Sequence, residues 1–258
     1  MMSRFQFLRG MGALAATGAL LLPSGRAEGA APAPAPAAPA RPVAPLRLPI
    51  TSARTDALIV IDVQNCFIPG GSLEVKKGNE VVPIINRLAK SFATVVLTQD
   101  WHTACHKSFA SSHPGRKPFE TIRMPYGDQV LWPDHCVQGT PGAEFAPGLS
   151  IPTAGLILRK GWNREVDSYS AFNEADRKPT GLAAYLRQRG INRIFLAGLA
   201  TDFCVAWSAT DARKANVTTA VIEDACRAID LNGSLDAAWD DMIKAGVHRL
   251  QSTDIKAS

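Results

Sequence analysis

A cysteine, a lysine and two aspartates stand at the ends of apolar runs in this 258-residue chain. In Leu196-Ala-Gly-Leu-Ala-Thr-Asp-Phe-Cys-Val205 an apolar strand enters a Gly-containing turn, and Cys204 stands where a helix is about to begin. The positive end of a helix dipole favours thiolate, the nucleophilic form of the side chain. Asp62 closes the β-branched run Ala57-Leu-Ile-Val-Ile. With its pKa raised by partial burial, a carboxylate there can carry a proton from the thiol to a leaving amine. Lys160 ends a third run, where its cation favours thiolate and carboxylate together. Each residue alone has an ordinary structural reading (a small buried hydrophobe, a turn cap, a solvated strand end), and their shared position gives them weight. The turn Gly198-Leu-Ala-Thr-Asp202 lies where backbone N–H groups at a helix start can face a developing negative oxygen.

A second group is Asp100-Trp-His102-Thr-Ala-Cys-His106, followed by His113 and by His135 in Leu131-Trp-Pro-Asp-His-Cys-Val-Gln-Gly139. Four of the five histidines fall between positions 102 and 135. Asp and His at i, i+2 on an extended segment point to one side. Imidazole with carboxylate suits one divalent transition metal, and zinc, iron and manganese all accept such a set. Three protein ligands leave positions for water or substrate, the catalytic pattern. Phe67, Trp101, Trp132, Tyr169 and Phe172 lie in the segments after the strands. Together they can wall a flat apolar pocket suited to a heteroaromatic ring.

These side chains need elements that bring them to one place. Apolar runs over 57–62, 93–98, 155–159, 191–197, 217–222 and 246–250 alternate with helical spacing over 78–92, 180–189, 204–214 and 234–244. The alternation predicts an α/β fold, a three-layer αβα sandwich around a mainly parallel six-stranded sheet. Parallel sheets of this kind place ligand sites outside the carboxyl ends of their strands. Asp62, then Asp100 and His102, then Lys160, then Cys204 all follow strands, so the topology predicts their convergence. Residues 103–152, rich in Gly and Pro and carrying His106, His113, His135 and Trp132, read as a functional loop region.

The N-terminus is of another kind. Arg4 and Arg9 precede an apolar stretch over 11–22 that is too short to span a bilayer as a mature helix. Residues 1–27 read as an export signal, close to the twin-arginine pattern but with Phe5 in place of the second arginine. Residues 28–50, an Ala/Pro alternation, form a semi-rigid extended tether. Residues 51–258 then make one domain with a substantial core. The expected location is periplasmic or otherwise exported, with no membrane anchor once the signal is removed; without a working signal it is cytoplasmic. Five arginines against one glutamate in residues 1–50 account for four of the five net positive charges, so the body is nearly neutral. No basic stripe with interleaved aromatics is present, which argues against nucleic-acid binding. The five cysteines are an odd number without CxxC spacing, so one free thiol is expected, at Cys204. A disulfide among the other four is an open option, and sequence does not pair them.

The motifs Ile61-Asp-Val-Gln-Asn-Cys-Phe67, Thr98-Gln-Asp-Trp-His102, Trp132-Pro-Asp-His-Cys-Val-Gln-Gly-Thr140, Arg159-Lys-Gly161, Asp167-Ser-Tyr-Ser-Ala-Phe172 and Gly198-Leu-Ala-Thr-Asp-Phe-Cys-Val205 together resemble the nicotinamidase/pyrazinamidase family of isochorismatase-like cysteine hydrolases. The resemblance implies Cys204 as nucleophile, Asp62 as general acid/base and Lys160 as third member of a triad. It implies Asp100, His102 and His135 as ligands of one divalent metal, with His106 as an extra candidate. It implies the amides of Ala200 and Cys204 as the oxyanion hole, with a cis peptide between Leu199 and Ala200. Phe67, Trp132 and Tyr169 become substrate contacts, nicotinamide the substrate, and a homo-oligomer an open option. Cys66 departs from the resemblance, since its position is commonly acidic. Two rivals stay open: a related cysteine amidase acting on a ureido or carbamoyl compound, and a periplasmic metal- or ligand-binding protein without catalysis.

Overall fold

The computed structural model describes residues 45–256, so the expected signal over 1–27 and most of the tether over 28–50 lie outside the described residues. In chain order the regular elements are β1 (Asp56–Ile61), α1 (Val81–Ala89), β2 (Thr94–Asp100), β3 (Thr121–Met124), β4 (Gly127–Val130), β5 (Leu156–Lys160), α2 (Leu182–Gln188), β6 (Arg193–Leu199), α3 (Ala206–Lys214), β7 (Thr218–Arg227), α4 (Ser234–Lys244) and β8 (His248–Leu250). Six strands form one sheet in the order β5-β2-β1-β6-β7-β8, every pair parallel. The three-layer α/β architecture is the one the alternation predicts.

β1 is apolar because both of its faces are covered. Leu58 and Val60 join one core while Ala57, Ile59 and Ile61 join the other. From β1 the chain moves outward to β2 and β5, returns across the sheet to β6, and continues to β7 and β8. Right-handed crossovers running in opposite directions place their helices on opposite faces. Val81, Val82, Ile85 and Leu88 of α1 accordingly pack in the first core, and Leu182 and Leu186 of α2, Ala209 of α3 and Trp239 and Met242 of α4 in the second. The direction reverses between β1 and β6, the switch point at whose carboxyl edge ligands bind in open parallel sheets. There Ile61 pairs with Gly198. Gly198 has φ +124°, and a Cβ on it would collide with the Ile61 carbonyl oxygen, so only glycine lets the two strands close up.

Three details depart from the expectations. Residues 103–152 include a two-stranded antiparallel hairpin, β3 with β4. Its strands carry no sustained apolar alternation: Thr121 and Arg123 are exposed, and Arg123 pairs with Asp128 at 2.8 Å. Ile50, placed in the tether, is buried and bridges to Ile255, which ties the chain to the domain. β2 extends to Asp100, making that carboxylate the last residue of its strand. Among the described residues no helix is long and apolar enough to cross a membrane.

Candidate active site and metal centre

Four strand ends meet at the switch point. Asp62 follows β1 with φ +48°, a left-handed conformation that non-glycine residues adopt mainly where the surroundings enforce it. Asp100 and Lys160 close β2 and β5 directly opposite one another in register. Cys204 lies in a π-helical turn, Thr201–Val205, between β6 and α3; such wide turns are frequent at functional sites. The peptide bond between Leu199 and Ala200 is cis, as the resemblance implies. The Ala200 carbonyl accepts the Phe203 and Val205 N–H groups, both at 3.1 Å, and so closes the turn.

Lys160 is the hub. Its Nζ stands 2.8 Å from Asp62 Oδ2 and bonds Asp100 Oδ1. It also donates to the Ser168 carbonyl at 3.0 Å and lies 3.4 Å from Cys204 Sγ. The Asp62 and Asp100 carboxylates and the Cys204 sulfur have atoms within 4.8 Å of one another, all buried. Thr98 donates to Asp62 Oδ1 at 2.5 Å, and its oxygen accepts the Asp62 N–H at 3.1 Å.

The charges follow from burial and these neighbours. Burial works against the ammonium of Lys160, but Asp100 and Asp62 hold its pKa well above the ordinary lysine value. Burial also works against the Asp100 carboxylate, yet Lys160 and His102 keep it well below the usual range. For Asp62 burial prevails and raises the carboxyl above its ordinary value despite Lys160. Burial likewise pushes the Cys204 thiol well up; Lys160 pulls it down, and Asp62 and Asp100 push it further up. The helix end and Lys160 favour thiolate, while burial and the two carboxylates oppose it and favour a thiol beside a carboxylate suited to take its proton.

A candidate cation site adjoins this cluster. Asp100 Oδ2 lies 3.6 Å from His102 Nε2 and 3.7 Å from His135 Nε2. His102 Nδ1 is 2.9 Å from the Gly161 carbonyl, and His135 Nδ1 is 2.8 Å from the Pro133 carbonyl. A carbonyl only accepts, so each Nδ1 carries a proton, which leaves Nε2 as the ring atom turned toward the carboxylate. Ligands ~2.1 Å from one shared zinc stand roughly 3.4 Å apart at tetrahedral angles, close to the observed spacing. The three side chains fit a divalent cation. His106 is spent elsewhere: Ser108 N–H donates to its Nδ1 at 3.2 Å, and its Nε2 donates to the Asn163 carbonyl at 2.8 Å. Burial, with His102 beside it, lowers its pKa to about 4 and keeps it neutral.

An aromatic wall faces the two groups. The Phe67 ring lies 5.5 Å from that of His135. Trp132 meets Phe203 edge-on at 4.9 Å and Tyr169 at 6.2 Å, and its indole N–H donates to the Tyr169 hydroxyl at 2.9 Å. The hairpin braces this wall, since Gln129 of β4 donates to the same hydroxyl at 3.2 Å and to Asp167 Oδ2 at 2.7 Å. Two of the five expected aromatics sit elsewhere. Phe172 is buried in the second core, and Trp101 lies under the Arg159 guanidinium at 3.7 Å.

Sequence reasoning missed Thr98, Phe203, Gly161 and Gln64. The Gln64 amide holds the Asp100 backbone, donating to its carbonyl at 2.9 Å and accepting its N–H at 2.8 Å. All four lie inside the quoted motifs, so their position beside the chemically active residues was the available signal. Cys66 and Cys136 are paired in a disulfide, leaving Cys105, Cys204 and Cys226 as thiols among the described residues.

Comparison with known proteins agrees with this fold. Residues 56–254 match the isochorismatase domain. The nicotinamidase of Acinetobacter baylyi is 57% identical over 211 residues, covering 81% of this chain and 99% of that protein. The solved structure of the Acinetobacter baumanii nicotinamidase/pyrazinamidase superposes with a TM-score of 0.78 at 59% identity, over 78% of this chain and 98% of that one. A structure from L. infantum in complex with nicotinate gives 0.72 at 38% identity, over 81% and 99%. The Pyrococcus horikoshii pyrazinamidase, solved in complex with zinc, gives 0.64 at 31% identity, over 76% and 99%. The chain belongs to the nicotinamidase/pyrazinamidase family of isochorismatase-like hydrolases.

Proposed function

We propose that this chain hydrolyses the carboxamide of nicotinamide, and of pyrazinamide, to the carboxylate and ammonia through a thioester on Cys204. The observation that carries the reading is the meeting of Cys204 Sγ, the Asp62 carboxylate and Lys160 Nζ in one buried crevice. Asp62 takes the thiol proton as sulfur attacks the amide carbon, and Lys160 steadies the anionic cluster during the transfer. The amides of Ala200 and Cys204 receive the oxyanion. Asp62 then returns its proton to the amide nitrogen, the C–N bond breaks and ammonia leaves. A water deprotonated by Asp62 attacks the thioester, releasing carboxylate and restoring the thiol. Phe67, Trp132 and Tyr169 hold the ring.

Asp100, His102 and His135 would hold one divalent cation, zinc by the precedent of the P. horikoshii protein. Such an ion, when bound, supplies a Lewis-acid anchor for a ring nitrogen. We place the reaction outside the cytoplasm, on the reading of residues 1–27 as an export signal. The test is ammonia release from nicotinamide by purified protein, set against Cys204→Ala. Loss of turnover with folding intact is the expected result; equal rates would overturn the thiol mechanism.

A further inference from the structure

Cys66 and Cys136, 70 residues apart in sequence, join the loop after β1 to the loop that carries His135, with their Cα atoms 5.6 Å apart. On one side, Cys66 is followed by Phe67, whose ring lies against the His135 imidazole. On the other, Cys136 directly follows His135, and its carbonyl accepts the His102 N–H at 3.1 Å. The next residue, Val137, forms an isolated bridge with His102, and Gln138 N–H donates to the His102 carbonyl at 2.8 Å. Cys136 therefore joins the backbones of the two histidines of the proposed cation site and is covalently tied to the wall that backs one of them. Its own backbone has φ +44°, a left-handed conformation that a non-glycine residue keeps only where its surroundings impose it.

We propose that the Cys66–Cys136 disulfide is a positioning cross-link that presets the His102 and His135 imidazoles and thereby tightens divalent-cation binding. The inference rests on the reading of Asp100, His102 and His135 as the ligand set. A site whose ligands are held in their bound arrangement gives up less conformational freedom when it fills. Both cysteines are buried, which makes the bond a permanent staple shielded from dissolved thiols rather than a fast switch. Forming it transfers two electrons and two protons from the thiols to a disulfide-bearing oxidant, which leaves as a dithiol. Such oxidants act on exported chains, the destination expected from residues 1–27.

The test uses zinc alone as probe, on apo protein made without reductant. Zinc affinity and dissociation rate are read by competition with a chromogenic chelator for wild type, Cys66→Ala and Cys66→Ala/Cys136→Ala. The double variant removes the lone thiol that could itself ligate zinc. Apo-state melting temperatures are recorded alongside. Zinc affinity about tenfold weaker or worse in the double variant, with faster release, is the expected result. Unchanged affinity with only a lower melting temperature overturns the inference and reduces the bond to a general staple. Alkylation of Cys66 and Cys136 in non-reduced wild type overturns it as well. Failure of wild type to bind zinc sinks the ligand-set reading and this inference with it. Should the double variant fail to fold, Cys66→Ser/Cys136→Ser serves in its place.

Discussion

Gly161 and His102 are fitted to each other. The Gly161 carbonyl, one residue past Lys160, accepts the His102 Nδ1–H at 2.9 Å. A Cβ on Gly161 would lie 2.6 Å from Cε1 and 2.8 Å from Nδ1 of the same ring. The segment that delivers the buried ammonium thus also sets the tautomer and orientation of an imidazole in the cation site. Asp100 makes the second link, one carboxylate oxygen on Lys160 and the other facing both histidines.

Gly161→Ala should displace the His102 ring and weaken zinc binding by about 10–100-fold, the usual scale for disturbing a group that orients a metal ligand. Gly161 also has φ +67°, so backbone strain must be separated from the collision. Gly115→Ala supplies that control: its φ is +78° and a Cβ there would meet nothing within 4 Å. It should lose about 1 kcal/mol or more of stability and keep its zinc affinity. Chelator competition and urea unfolding on both variants check the pair; equal zinc affinities would sever the Gly161–His102 link.

In the proposed mechanism Asp62 must be ionised to accept the thiol proton, so kcat/KM should fall as pH drops through its folded pKa. Burial raises that value, which places the acid limb above the ordinary carboxylate range. The Thr98 hydrogen bond opposes the rise. Thr98→Val keeps the shape and removes the donor, so the carboxyl pKa climbs further and the acid limb moves to higher pH, with the plateau largely retained. A pH–rate profile of ammonia release reads the shift. A limb that stays put or moves down contradicts Asp62 as the base.

Much of this site was legible because parallel-strand topology turns sequence order into proximity. Short β-branched runs ending in Asp62, Asp100 and Lys160 placed those groups at one edge before any side chain was seen. What stayed hidden depends on three dimensions. His106 has the residue type and neighbourhood of a ligand, and only Ser108 and Asn163 reveal that its nitrogens are engaged. Cys66 and Cys136 could not be paired across 70 residues of sequence. The protonation of Cys204 depends on two carboxylates and on burial, which a helix-dipole argument leaves out. The hairpin over 121–130 has too few apolar residues in alternation to announce itself.

Lys160→Met keeps length and removes the cation from between two buried carboxylates. Breaking one partner out of a buried ion cluster costs ~3–5 kcal/mol. Asp62, already raised by burial, loses its main counterweight, so its folded pKa rises further above the unfolded value. A carboxyl with a raised folded pKa destabilises the fold while ionised, and the penalty fades as pH falls through that pKa. The variant should therefore be markedly unstable at neutral pH and recover toward mildly acidic pH, with turnover lost at both. Urea unfolding at pH 7 and pH 5 checks the sign; greater instability at the lower pH would refute the account.

Phe203 and Phe172 distinguish the proposed substrate wall from a structural core. Phe203 is half-buried, with its ring edge-on to Trp132 at 4.9 Å and 5.7 Å from Tyr169. Phe172 is buried in the second core with Leu182 and Leu186. Truncating Phe203 removes two aromatic contacts, each worth ~0.5–1.5 kcal/mol, from the wall proposed to hold the ring in substrate and transition state alike. Phe203→Ala should therefore raise KM for nicotinamide by about tenfold and leave kcat nearly unchanged, the signature of lost uniform binding. Phe172→Ala should instead lower stability by ~3–5 kcal/mol through the cavity it opens, with KM of the folded fraction unaltered. Steady-state ammonia release and urea unfolding on both variants decide the assignment, and a KM defect in Phe172→Ala matching that of Phe203→Ala would place both rings in the substrate wall.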